Sequence, residues 1–82
     1  MGQEVEIDYI NVKRWKLNGK LHREDGPAMV TPCGLTRWYR NGKPHRVGGP
    51  ACYTDRFEIW YIDGKLHRED GPAIEYFSEK KE

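Results

Sequence analysis

Residues 15–30, 38–53 and 60–75 are three versions of one sequence, and that repetition constrains the fold more than any other property of the chain. They read WKLNGKLHREDGPAMV, WYRNGKPHRVGGPACY and WYIDGKLHREDGPAIE. The tryptophans lie 23 and 22 residues apart, and Trp, Gly, Lys, His, Arg, a second Gly, Pro and Ala recur at fixed offsets. One local shape therefore serves three times, and each copy must find part of its core against a neighbour.

Turn chemistry specifies that shape. Asn18-Gly19, Asn41-Gly42 and Asp63-Gly64 are the dipeptides a two-residue type I′ turn requires, because both central residues need positive φ. Ahead of each turn the side chains alternate with period two: Trp15 and Leu17 against Arg14 and Lys16, Trp60 and Ile62 against Ile59 and Tyr61. After each turn comes Gly-Lys-x-His-Arg and then Gly-Pro, where a proline cannot donate to a ladder and imposes a bend or bulge. The chain resumes at Ala28, Ala51 and Ala73. The expectation is an all-β fold, an antiparallel meander of three stacked β-hairpin repeats in about seven short strands, with equivalent residues in rows. Residues 4–10 alternate as well, with Val5, Ile7 and Tyr9 on one side, and are expected to form an N-terminal cap strand. Residues 78–82 carry no apolar side chain and are expected to be a frayed tail. The tryptophans are expected to stack as a ladder.

Eighty-two residues make one small domain, residues 1–82, which buries only about 60% of the surface its unfolded chain exposes. Its core must be thin, and self-association is one way to complete it. Fourteen basic and thirteen acidic side chains give a net charge of +1, which argues against general nucleic-acid binding. Cys33 and Cys52 belong to no CxxC pair. The chain opens without an apolar leader, so free thiols and a cytoplasmic location are expected. No apolar run approaches the ~20 residues that span a bilayer.

The shared core, W-x-x-NGK-x-HR-x-DGPA in its commonest form, resembles the MORN repeat, a hairpin unit of about the same period. The resemblance covers residues 12–77 and is carried by Trp, Asn-Gly-Lys and His. It departs after the histidine, where Arg23, Arg46 and Arg68 stand in place of glycine. Similar HREDGPA-type units occur in small repeat proteins of bacteriophages, large DNA viruses and bacteria. The resemblance implies an elongated or twisted sheet that binds proteins or lipids and is not an enzyme.

Candidate chemistry was sought against that background. His22, His45 and His67 occupy equivalent positions in successive units, an arrangement that favours bonds to backbone or acidic neighbours over convergence on one ion, so no metal or cofactor is expected. Ser78, Cys33 and Cys52 sit in no activating motif. Glu24-Asp25 and Glu69-Asp70 lie beside Arg23 and Arg68 and read as local charge pairing.

The informative feature is where the repeat departs from itself. In the middle unit Glu-Asp becomes Val47-Gly48, and residues 37–56 hold five basic side chains against Asp55 alone, a net +4. The outer units, counted over 15–30 and 60–75, carry +1 and −2. Arg37, Arg40, Lys43, His45, Arg46 and Arg56 therefore form a candidate seat for an acidic partner, with Tyr39 and Tyr61 as apolar anchors. Tyr39, Tyr61, Phe57 and Ile59 have parity opposite to the Trp row, so this stretch has two apolar faces. One of them should pack on a second copy, on a partner or on the N-terminal strand, a homodimer being the expectation, unless the sheet curls around it.

The leading expectation is a protein-interaction module, of the kind mobile elements use to block a host defence protein in the host cytoplasm. One alternative is a sponge for a nucleotide second messenger at an oligomer interface, with Lys-x-His-Arg on phosphate and an aromatic on the base. A second alternative is an anionic lipid head-group.

Overall fold

All three turn dipeptides occupy the left-handed region in the computed structural model, which describes residues 2–77: φ is 54° and 79° at Asn18-Gly19, 52° and 81° at Asn41-Gly42, and 49° and 80° at Asp63-Gly64. Those are type I′ tips, and each reverses the chain into an antiparallel hairpin. The first hairpin joins β2 (Lys13–Leu17) to β3 (Lys20–Leu21), the second β6 (Tyr39–Arg40) to β7 (Lys43–Pro44), and the third β10 (Tyr61–Ile62) to β11 (Lys65–Leu66).

Each return strand then breaks. It leaves the sheet after His22, loops out through residues 23–27 and re-enters at Ala28, ahead of β4 (Met29–Val30). Trp15 bridges the gap: its N–H donates to Ala28 O at 2.8 Å, and its carbonyl accepts from His22 N–H at 2.9 Å. Trp38 does the same between Ala51 and His45, and Trp60 between Ala73 and His67. The outgoing strand thus changes partner at its tryptophan, Arg14 pairing with Met29 and Lys16 with Leu21. Because of this break the described residues form twelve short strand segments where about seven were expected.

The remaining segments are β1 (Glu4–Ile7), β5 (Thr36–Arg37), β8 (Cys52–Tyr53), β9 (Phe57–Ile59) and β12 (Ile74–Tyr76). The main sheet runs β1-β2-β4-β5-β8-β9-β12, every pair antiparallel, which is the meander read from the sequence. No helix occurs among the described residues. None is therefore long and apolar enough to cross a membrane.

The expected cap strand is β1, registered Val5 against Trp15 and ending at Ile7. Asp8 stops it by accepting from the backbone N–H of Ile10 and Val12 and pairing with Arg14 at 2.8 Å. The tail expected at 78–82 lies outside the described residues.

The core is as thin as the composition requires. Val12, Ala28, Ala51 and Cys52 are its buried apolar residues, and no large side chain is fully buried. Overall dimensions of 42 × 30 × 16 Å describe a slab. The tryptophans are in register yet do not stack on one another. One strand, β4 or β8, intervenes between the tryptophan strands of successive units, which places equivalent residues two strand spacings, about 10 Å, apart and beyond aromatic contact.

Candidate functional site

The 23–27, 46–50 and 68–72 loops carry the chemistry of the molecule, and one clasp holds all three. The guanidinium carbon of Arg23 lies 4.0 Å from the Trp15 ring centre, Arg46 3.9 Å from Trp38 and Arg68 4.1 Å from Trp60. The same guanidinium donates through Nη1 to the carbonyl of Pro27, Pro50 or Pro72 at 3.1–3.3 Å. A Cβ on Gly49 would sit 2.8 Å from the Arg46 guanidinium carbon, so the glycine of Gly-Pro-Ala is the gap through which the arginine reaches its tryptophan. The recurrent Trp, Arg, Gly and Pro are thus one fastening, each unit covering its own indole with its own cation.

In the outer units the clasp is completed by a carboxylate. Arg23 Nε meets Asp25 at 3.3 Å and Arg68 Nε meets Asp70 at 3.1 Å, the pairing expected from the sequence. In the middle unit Gly48 replaces the aspartate and takes φ 85°, and among the described residues no carboxylate reaches Arg46. The cation is held in place by Trp38 and Pro50 with its Nε edge unpaired.

The histidines are pegs between units. His22 Nδ1 accepts from the backbone N–H of Asn41, and His45 Nδ1 from that of Asp63, both at 3.0 Å. An accepting Nδ1 leaves the proton on Nε2, and His22 Nε2 accordingly donates to Glu24 at 3.3 Å. Val47-Gly48 deprives His45 of the acidic neighbours that its own loop would supply, but Asp63 Oδ1 of the next unit approaches its Nδ1 to 3.4 Å. The same nitrogen already accepts the Asp63 N–H, so this carboxylate is a neighbour rather than a hydrogen-bonded ion pair. The sequence could not show it: Asp63 belongs to the next unit. Among the described residues no three His, Cys, Asp or Glu side chains gather as a metal cluster.

Six of the eight candidate residues divide between two faces, as strand alternation demands. Arg40, His45 and Arg46 line a groove of about 140 Å³ with Trp38, Arg23, Glu24 and Val47. Arg37, Tyr39 and Tyr61 lie on the opposite face around a hollow of about 180 Å³ with Pro44, Cys52 and Ile59. Burial is the largest influence on the Arg37 cation and works against it, but Tyr39, whose hydroxyl lies 3.5 Å away, and Cys52 together leave its pKa above the ordinary arginine value. Lys43 lays its stem over the Gly64 turn, and Arg56 is exposed in the turn before β9. Neither joins the groove. What the sequence reading missed is the second groove, of about 550 Å³, where Arg46, Val47 and Gly48 of the middle loop face Trp60, Ile62, His67, Arg68, Glu69 and Asp70.

A comparison of the chain with family models, curated proteins and solved structures finds no match.

Proposed function

We propose that this chain is a non-enzymatic protein-interaction module whose middle repeat seats a carboxylate of an acidic partner surface. One observation carries the reading: of three identically clasped arginines, Arg46 alone lacks its aspartate, and exposed Arg40 lines the same groove. A cation fixed by a ring and a carbonyl loses little side-chain entropy on receiving an anion. The groove beside it supplies charge that steers a carboxylate-rich surface. The resemblance of the repeats to units of phage and viral proteins supports a host defence protein as the target.

The cleanest test restores what the middle unit lacks. Val47→Glu with Gly48→Asp rewrites its loop as HREDGPA, the sequence its siblings fold around the same clasp. Arg46 then gains a partner without leaving Trp38. The double variant must move residue 48 out of the positive-φ region, so it should melt below the parent yet keep its amide spectrum outside the 46–50 loop, and it should lose the proteins the parent captures from a host lysate, as read by mass spectrometry. Identical capture by both chains removes the proposal.

The nucleotide reading draws on the 550 Å³ groove, which is large enough for a small ligand and flanked by Arg46 and Arg68. Glu69 and Asp70 line it, against Glu24 alone in the Arg40–Arg46 groove, and Arg68 is already paired with Asp70 and Glu75, so it suits a phosphate less well than Arg40 and Arg46 suit a carboxylate. Self-association through the Tyr39–Tyr61 face has limited support. Tyr39, Ile59 and Tyr61 are already half-buried around their hollow, and the exposed large apolar residues cluster mainly near the two ends of the chain.

A further inference from the structure

The two ends of the stack are unlike. Between the first and second units three backbone groups of the incoming outgoing-strand and turn are met: Gly42 N–H donates to Leu21 O at 2.9 Å, Asn41 N–H to His22 Nδ1 at 3.0 Å, and Tyr39 O accepts from Arg23 N–H at 3.2 Å. The second and third units repeat the set, with Gly64 to Pro44 at 2.8 Å, Asp63 to His45 at 3.0 Å and Arg46 to Tyr61 at 3.1 Å. At the first unit the outer carbonyl of this set, Lys16 O, accepts from the Gln3 side chain at 2.9 Å, and β1 covers the strand. That end is closed. At the third unit no turn among the described residues meets Leu66 O, His67 Nδ1 or Arg68 N–H. His67 is 52% exposed where His22 is 6% and His45 12%.

The joints also show what such a turn must carry. Two side chains line each groove from the two units that meet there, without touching as an ion pair: the residue after the clasp arginine and the residue before the turn dipeptide of the next unit. Across the first groove these are Glu24 and Arg40, of opposite charge, and across the second Val47 and Ile62, both apolar. Each pair matches in kind. The open end presents Glu69, which by the same rule takes a cation. A second copy cannot supply it from its own first unit, because Leu17 holds that position there and β1 occupies the strand.

We propose that the open edge Leu66–Arg68, with Glu69 above it, docks a β-hairpin of another polypeptide that carries arginine or lysine directly before an Asn-Gly or Asp-Gly turn, continuing the stack by one unit. Strand addition to a free edge gives the affinity, and the Glu69 pairing gives the choice. The inference does not depend on the partner proposed for Arg46.

The test uses the full chain, ¹⁵N-labelled, and a synthetic hairpin of the sequence 36–46 closed by a disulfide between added terminal cysteines. That peptide carries Tyr-Arg-Asn-Gly, the turn the rule selects. Addition should shift the amides of residues 66–70 and the His67 ring nitrogens and leave β1 unmoved. D-proline in place of Asn41 in the peptide keeps the positive φ of the turn while removing the donor to His67, and should weaken binding at least about tenfold. Arg40→Glu in the peptide, or Glu69→Lys in the chain, should each weaken it about three- to tenfold, and the two changes together should restore it. The proposal is overturned by an absence of shifts at millimolar peptide, by shifts elsewhere on the molecule, or by failure of the swapped pair to recover. It is equally overturned if the chain dimerises through this edge and the peptide does not displace the second copy.

Discussion

Arg46 shows how a single residue is read differently once its surroundings are known. Counted as charge, it is one of five cations in a basic stretch. Seen in place, it is a fastening whose removal would free the 46–50 loop, so charge reversal there would confuse loss of recognition with loss of structure. Asp8 is a second residue whose role is local. Its carboxyl is held below the ordinary carboxylate value first by the Arg14 hydrogen bond and then by the Val12 N–H. A folded pKa below the unfolded one means that the contribution is complete above the unfolded value of 3.8 and vanishes as pH falls through the folded value. The melting temperatures of parent and Asp8→Asn should therefore differ at neutral pH and converge as the pH is lowered through the folded value, which lies under 3.8. A difference that stays constant across that range would assign the effect to something other than the carboxylate.

At the scale of the element, the histidine pegs make the three hairpins unequal despite their shared sequence. His22→Ala strands the buried-side Asn41 N–H and should cost about 1–3 kcal/mol by urea denaturation. His67→Ala strands nothing among the described residues and should stay within about 0.5 kcal/mol. Equal costs would mean that the pegs do not join the units. The hairpins themselves were legible because Asn-Gly and Asp-Gly leave few turns open, and the alternation around Trp15 and Trp60 placed the faces correctly. The break at each tryptophan was not legible. Nothing in Trp15 itself says that its N–H and carbonyl will serve two separate segments; that follows from the length of the 23–27 detour forced by Gly-Pro. The candidate site was half legible for the same reason. Composition pointed to the middle unit, while the division of Arg37 and Tyr39 from Arg40 and Arg46 is set by strand parity, and Asp63 reaches His45 only through stacking.

Across the whole molecule, a slab with small buried side chains draws its cohesion from joints between neighbours rather than from a central core. Amide exchange should follow the joints: slowest for the inter-unit donors Asn41 and Gly42, intermediate at Asp63 and Gly64, and fastest along Lys65–Arg68 at the open end. Uniform protection would indicate a single cooperative core instead.

Each repeat ties down its crest with an arginine that never leaves home, and the first two grip the following repeat with a histidine elsewhere. Because the two ties share no side chain, the residue two places after the clasp arginine can differ, as Gly48 does, without loosening the histidine's hold on the next repeat.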